Sequence, residues 1–189
     1  MYLSFYPDRC TGFMRACEKG HAEVIKVLMD NKDIIDHNVK DCHGSSGFVK
    51  ACANGHGEVV LLLLNHDKID FNSANKHGQT AFIKVCELGL DQIASLLVMD
   101  EKIDIHAQNN KKETGIVLAC LKGYDNVIKV ILESGRLNFR DIGKNIKKKH
   151  TNKFNNLFEF KVYHDRGYPV KTIVIVEKPE GNKVVEIFG

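Results

Sequence analysis

Thr11-Gly12-Phe13-Met14-Arg15-Ala16-Cys17 returns as Ser46-Gly47-Phe48-Val49-Lys50-Ala51-Cys52, as Thr80-Ala81-Phe82-Ile83-Lys84-Val85-Cys86 and as Thr114-Gly115-Ile116-Val117-Leu118-Ala119-Cys120. The closing cysteines are 35, 34 and 34 residues apart, and a glycine follows each three positions later, at Gly20, Gly55, Gly89 and Gly123. Each glycine is followed by apolar residues at helical spacing, such as Val59, Val60, Leu62 and Leu63, or Ile93, Ala94, Leu96 and Leu97. Each copy ends in a related phrase: Ile35-Asp36-His37-Asn38, Ile69-Asp70-Phe71-Asn72, Ile103-Asp104-Ile105-His106 and Leu137-Asn138-Phe139-Arg140.

The copies read as one helix–turn–helix unit. The leading Thr or Ser is an N-cap, its hydroxyl accepting from an early backbone N–H. A two-turn helix follows, over 81–88 in the third copy. The glycine ends it in the left-handed conformation. A second helix, 91–99 in the third copy, leads into a polar loop. One such unit cannot bury its apolar stripe, so the units must stack.

The second copy, Asp41-Cys42-His43-Gly44-Ser45-Ser46-Gly47-Phe48-Val49-Lys50-Ala51-Cys52-Ala53-Asn54-Gly55-His56, resembles the ankyrin repeat, whose signature runs Asp-x-x-Gly-x-Thr-Pro-Leu-His-x-Ala-Ala-x-x-Gly-His. Gly78-Gln79-Thr80-Ala81-Phe82 repeats the register, and Gly20-His21 repeats the Gly-His pair. The resemblance spans about residues 6–140, with repeats at about 6–40, 41–74, 75–108 and 109–140. It implies a mainly α solenoid. Two departures stand out. The signature proline is Gly12, Gly47, Ala81 and Gly115, a loss of about 0.4–1 kcal/mol per site through the freer unfolded chain. The signature histidine is Met14, Val49, Ile83 and Val117, so its hydrogen bonds between repeats are missing. The expectation is a looser stack, held mostly by apolar packing.

Other chemistry is thin. Cys17, Cys52, Cys86 and Cys120 fall where the family has small residues and read as buried hydrophobes. Stacked units about 10 Å apart keep them beyond disulfide reach. Cys10 and Cys42 fall at loop ends and are expected to be more exposed. Cys42, His43 and His77 lack the paired spacing of a zinc site. His21 and His56 read as caps on nearby backbone. There is no nucleotide-binding glycine loop, nucleophile elbow or metalloprotease motif. No cofactor, no metal and no catalytic activity are expected.

The chain has 189 residues, 43% of them hydrophobic, and no apolar run approaches the ~20 residues of a membrane helix. Residues 1–7 have neither the basic nor the long apolar part of a secretory signal. A cytoplasmic protein is expected, with the nucleus open through Lys147-Lys148-Lys149-His150. The net charge of +3 is too small to argue for nucleic acid. Residues 141–189 hold 10 Lys and Arg against 6 Asp and Glu, while residues 1–140 hold 17 against 18.

After Arg140 the repeat fades. Residues 144–156, rich in Lys and Asn, are expected to form a degenerate helix. Phe158 to Tyr163, Val170 to Val176 and Lys183 to Phe188 alternate or are β-branched, with turns at Asp165-Arg166-Gly167-Tyr168-Pro169 and Pro179-Glu180-Gly181-Asn182. They predict a three-stranded antiparallel meander. Residues 141–189 are thus expected to be a small C-terminal β cap, packed on Val127, Ile131 and Leu132 of the last repeat. The first repeat has no equivalent cap. Tyr2, Leu3, Phe5 and Tyr6 precede it, and self-association through that face is open.

What the resemblance implies about function is protein binding through a concave face of first helices and loop tips. The residues expected to carry it vary between copies while the framework repeats: His43, Ser45, Ala53 and Asn54; Lys76, His77, Gln79, Glu87 and Leu88; Lys111, Glu113, Leu121 and Lys122. The alternative is an array that recruits substrates or targets for a catalytic domain outside this chain.

Overall fold

In the computed structural model, residues 9–30 and 35–137 are described with their side chains, and residues 146–152, 157–163, 169–177 and 183–188 as backbone. Among the described residues eight helices pair into four hairpins: α1 (Gly12–Lys19) with α2 (Ala22–Asp30), α3 (Gly47–Ala53) with α4 (Gly57–Leu64), α5 (Ala81–Leu88) with α6 (Asp91–Met99), and α7 (Gly115–Lys122) with α8 (Asp125–Glu133). The first helices form one row, α1-α3-α5-α7, and the second helices another, α2-α4-α6-α8. The four-unit stack expected from the sequence is the architecture.

Local chemistry sets the helix ends. Thr11 Oγ1, Ser46 Oγ and Thr80 Oγ1 accept from the backbone N–H three residues on, at 3.2, 3.4 and 3.3 Å. Such a cap contributes about 1 kcal/mol. Thr114 departs from the pattern, since its buried hydroxyl has no hydrogen-bond partner among the described residues. Gly20, Gly89 and Gly123 end α1, α5 and α7 in the left-handed region. Cys17, Cys52, Cys86 and Cys120 are fully buried between the helices, and Cys10 and Cys42 are half-buried. Burial pushes the Cys17 thiol up to about 12, and raises those of Cys52 and Cys86 as well.

The missing prolines have a packing reason, which corrects the expectation of a uniform loss. A Cβ on Gly47 would sit 2.8 Å from Phe13 Cε1 and 3.0 Å from Cys17 Sγ; one on Gly115 would sit 2.8 Å from Cys86 Sγ and 3.0 Å from Phe82 Cε1. The phenylalanine of one repeat fills the space that a proline ring of the next would need. Gly12 has no described atom within 4 Å of its would-be Cβ. Thr11, with ψ 165°, also has the extended backbone that precedes proline. Gly12→Pro is expected to stabilise the protein by about 0.5–1 kcal/mol. Gly47→Ala is expected to destabilise it by about 1–3 kcal/mol. Urea midpoints of the two variants, read by circular dichroism, check the opposite signs.

The stack is also more polar than expected. Asn38 donates to Lys68 O at 2.7 Å and accepts from Asp70 N at 2.8 Å. One repeat later, Asn72 donates to Lys102 O and accepts from Asp104 N, both at 2.8 Å. At the third step His106 stands in place of asparagine. There Arg136 reaches back instead, donating to Val98 O, Asp100 O and Ile103 O at 2.9, 2.8 and 2.8 Å. His56 is a cap as expected, but across repeats, with Nε2 2.9 Å from Glu18 O at the end of α1. Loss of the signature histidine therefore does not leave the stack to apolar packing alone.

Beyond the helices lie four strands: β1 (Ile146–Asn152), β2 (Leu157–Tyr163), β3 (Pro169–Glu177) and β4 (Lys183–Phe188). They pair antiparallel in the order β1-β2-β3-β4. The expectation of three strands and a helix over 144–156 is corrected, because Ile146–Asn152 is extended and pairs with β2. β2 and β3 approach α7, and β4 approaches α8. The aromatic residues expected before the first repeat, the phrase from 138 to 140 and most of both expected turns lie outside the described residues.

Candidate functional site

The loops between repeats are built on one device. Asp41 Oδ1 accepts from His43 N at 2.9 Å and Ser45 N at 2.8 Å. Asn75 Oδ1 accepts from His77 N at 2.9 Å and Gln79 N at 3.0 Å, and Asn109 Oδ1 from Lys111 N at 2.9 Å and Glu113 N at 3.0 Å. A short acidic or amide side chain thus holds each tip closed. The tips are stitched to one another: Lys76 N donates to His43 O at 3.0 Å, and Asn110 N to His77 O at 3.1 Å. The tip side chains therefore stand on a rigid base.

The residue at the apex of each tip has a positive φ: Gly44 at 81°, Gly78 at 74° and Lys112 at 65°. Cβ atoms on Gly44 and Gly78 would lie 3.0 and 2.7 Å from the backbone nitrogens of Lys76 and Asn110 in the next tip. At these two positions the stacked tip leaves room for glycine only, whereas Arg9, 35 residues before Gly44, carries a side chain at φ 56°. Lys112 belongs to the last of these tips, which leaves room for its side chain.

Seven of the thirteen expected contact residues come together in one hollow of about 580 Å³ between the last two tips and the inner helices α5 and α7. They are His77, Gln79, Glu87, Lys111, Glu113, Leu121 and Lys122. Lys84, Asn109, Asn110 and Leu118 complete the lining, and the sequence reading did not single them out. Leu118 was legible by the same rule, since the other copies carry Arg15, Lys50 and Lys84 at its position. Asn109 and Lys84 were less conspicuous, because each repeats the residue of the copy before it, Asn75 and Lys50.

The other six lie outside the hollow. His43 is exposed at the first tip, and Ser45 is half-buried there. Ala53 and Asn54 end α3, where Asn54 Nδ2 caps Lys50 O at 2.8 Å. Lys76 flanks the hollow, its carbonyl accepting from Asn110 Nδ2 at 3.0 Å. Leu88 is exposed near the end of α5. Gln79 is mostly framework: it is buried, donates to Glu87 Oε2 at 2.8 Å and accepts from Asn75 Nδ2 at 3.2 Å.

The two ends of the inner face differ in electrostatics. Toward the first repeats, Lys50 pairs with Asp41 at 3.0 Å and Glu18 at 3.8 Å, and Arg15 with Glu18 at 3.4 Å. Burial opposes ionisation of Asp41, but hydrogen bonds from Ser45, Lys50 and His43 outweigh it and hold the carboxyl below its usual range. In the hollow, burial likewise opposes ionisation of Glu87. Lys84, at 2.8 Å, and Gln79 outweigh it, with Lys122 adding to the effect. A further hollow of about 400 Å³ lies between α4 and α6, lined by Leu61, Leu64, Leu96 and the exposed Met99 together with polar side chains. It contains none of the expected contact residues.

Among the described residues no group of three or more His, Cys, Asp and Glu side chains is arranged to hold a metal ion. Nor is any described helix long and apolar enough to cross a membrane. A model of the family described as ankyrin repeats (3 copies) matches residues 6–75 and 51–147. No curated protein matches the chain.

Proposed function

Because the chain belongs to the ankyrin-repeat family, whose members are generally protein–protein interaction modules, we propose that it binds a partner protein through the hollow between α5, α7 and the tips at 75–79 and 109–113. The observation that carries this reading is the convergence of seven copy-variable side chains on one concavity with a hydrogen-bonded base. A pre-ordered base lowers the entropic cost of binding. A few side chains in such a hollow carry most of the energy of an interface.

Affinity capture tests this. The bait is wild-type protein beside a variant carrying His77→Ala, Lys111→Glu and Lys122→Glu, all exposed positions. Gln79 is left alone, because its loss would break the bonds to Glu87 and Asn75. A protein retained by the wild type and lost from the variant is expected. Identical captures would show that the contact surface is elsewhere.

The repeats are taken as about 6–40, 41–74, 75–108 and 109–140, with 141–189 as a cap. The approach of the strands to α7 and α8 supports the capping role. A chain ending at Arg140 would then aggregate where the full chain stays monodisperse in light scattering. Equal behaviour of the two chains would remove the cap from the account.

A further inference from the structure

The acids of this hollow are hydrogen-bonded and Lys84 pairs with Glu87, while Lys111 and Lys122 stand exposed at its rim, and we infer that it receives an extended acidic segment of the partner protein, with an aliphatic side chain seated between that segment's carboxylates. The inference rests on the reading of the hollow as the contact surface. Glu87 Oε2 accepts from Lys84 Nζ and Gln79 Nε2, both at 2.8 Å. Glu113 Oε2 accepts from Asn109 Nδ2 at 2.8 Å. Lys111 and Lys122 are exposed, and their ammonium groups form no close ion pair with a described residue. Lys76 and Lys112 stand exposed beside them. Residues 1–140 hold slightly more acid than base, so this cluster is a local reversal of sign.

The floor gives the second half of the recognition. At the two inner-helix positions facing the hollow, the copies read Arg15 and Glu18, Lys50 and Ala53, Lys84 and Glu87, then Leu118 and Leu121. Only the fourth pairs two aliphatic residues. Carboxylates at Lys111 and Lys122 would flank a side chain resting on these leucines. Charge complementarity of this kind sets which partner is accepted. A single-stranded nucleic acid would use rings for stacking, and among the described residues no Phe, Tyr or Trp lines the hollow.

The test is selection from a displayed random dodecapeptide library on the full chain, on Lys111→Glu/Lys122→Glu and on Leu121→Ser. Wild type is expected to enrich peptides with Asp or Glu flanking Leu, Ile, Val or Met. Their affinity should fall on the order of tenfold or more in the double variant and also fall in Leu121→Ser. The double variant should itself enrich Lys- and Arg-bearing peptides. Groove-dependent peptides that are neutral or basic on wild type would overturn the acidic assignment and leave the contact surface standing. Peptides insensitive to every variant, or none enriched, would remove both. An oligothymidylate that binds wild type more tightly than any peptide, and is lost in the double variant, would overturn the inference in favour of nucleic acid.

Discussion

Gly78→Ala is expected to destabilise the array by about 3 kcal/mol, from left-handed strain of roughly 1–2 kcal/mol plus overpacking of a similar size. Gly78 has φ 74°, and its Cβ would meet Asn110 Oδ1, lie 2.7 Å from Asn110 N and lie 3.1 Å from Asn109 C. Two of these are backbone atoms of the stacked tip and cannot swing aside. The bond from Asn110 N to His77 O runs through this contact, so the hollow should loosen with the fold. Gly123→Ala is the internal control. It carries a similar φ of 76°, but its Cβ has no described neighbour within 4 Å, and it should lose only about 1 kcal/mol. The urea midpoints of the two variants separate strain from crowding. Equal losses would mean that the tips do not stack as described.

Arg136→Lys should lose about 2 kcal/mol and Arg136→Met about 3 kcal/mol, because the guanidinium serves three carbonyls and hydrogen bonds from a charged donor contribute about 1.5–3 kcal/mol each before solvent exposure weakens them. Nη1 bridges Val98 O and Asp100 O while Nη2 reaches Ile103 O. Two of these carbonyls lie at the end of α6, where the helix dipole favours a cation. An ammonium supplies the charge without the planar fork. Thermal unfolding of both variants measures the difference. Full stability in Arg136→Lys would show that charge alone suffices.

The helices were legible because periodicity is local. Ala81–Leu88 and Asp91–Met99 fall where capping residue, glycine and apolar spacing placed them, and the interior cysteines follow from the same register. What links repeats was not legible. Asn38 and Asn72 bond to residues 30 and 32 positions away, and nothing in either residue's own neighbourhood announces it. The same holds for Phe13 against Gly47, where a departure from the signature is compensated one repeat earlier. Ile146–Asn152 lacks the alternation of a half-buried strand, and its pairing with β2 makes it one.

The hollow was legible in its variable positions but not in its boundaries. Variation between copies marks what the framework leaves free, and it located His77, Lys111 and Lys122. It also swept in Gln79, whose amide is buried in the framework, and His43 and Asn54, which stand apart from the hollow. Lys84 escaped because it repeats Lys50, yet one pairs with Glu87 and the other with Asp41. Equivalent positions differ in role when their partners differ.

Thiol counting on the native protein tests the stack most directly. At mildly alkaline pH, Cys10 and Cys42 should react with an aromatic disulfide reagent, while Cys17, Cys52, Cys86 and Cys120 stay silent until denaturant opens the array. Burial keeps the reagent from all four, and at Cys17, Cys52 and Cys86 the raised thiol pKa also keeps the thiolate scarce. Two fast thiols and four that appear with unfolding are the predicted result; reaction of all six at one rate in the folded protein would contradict it.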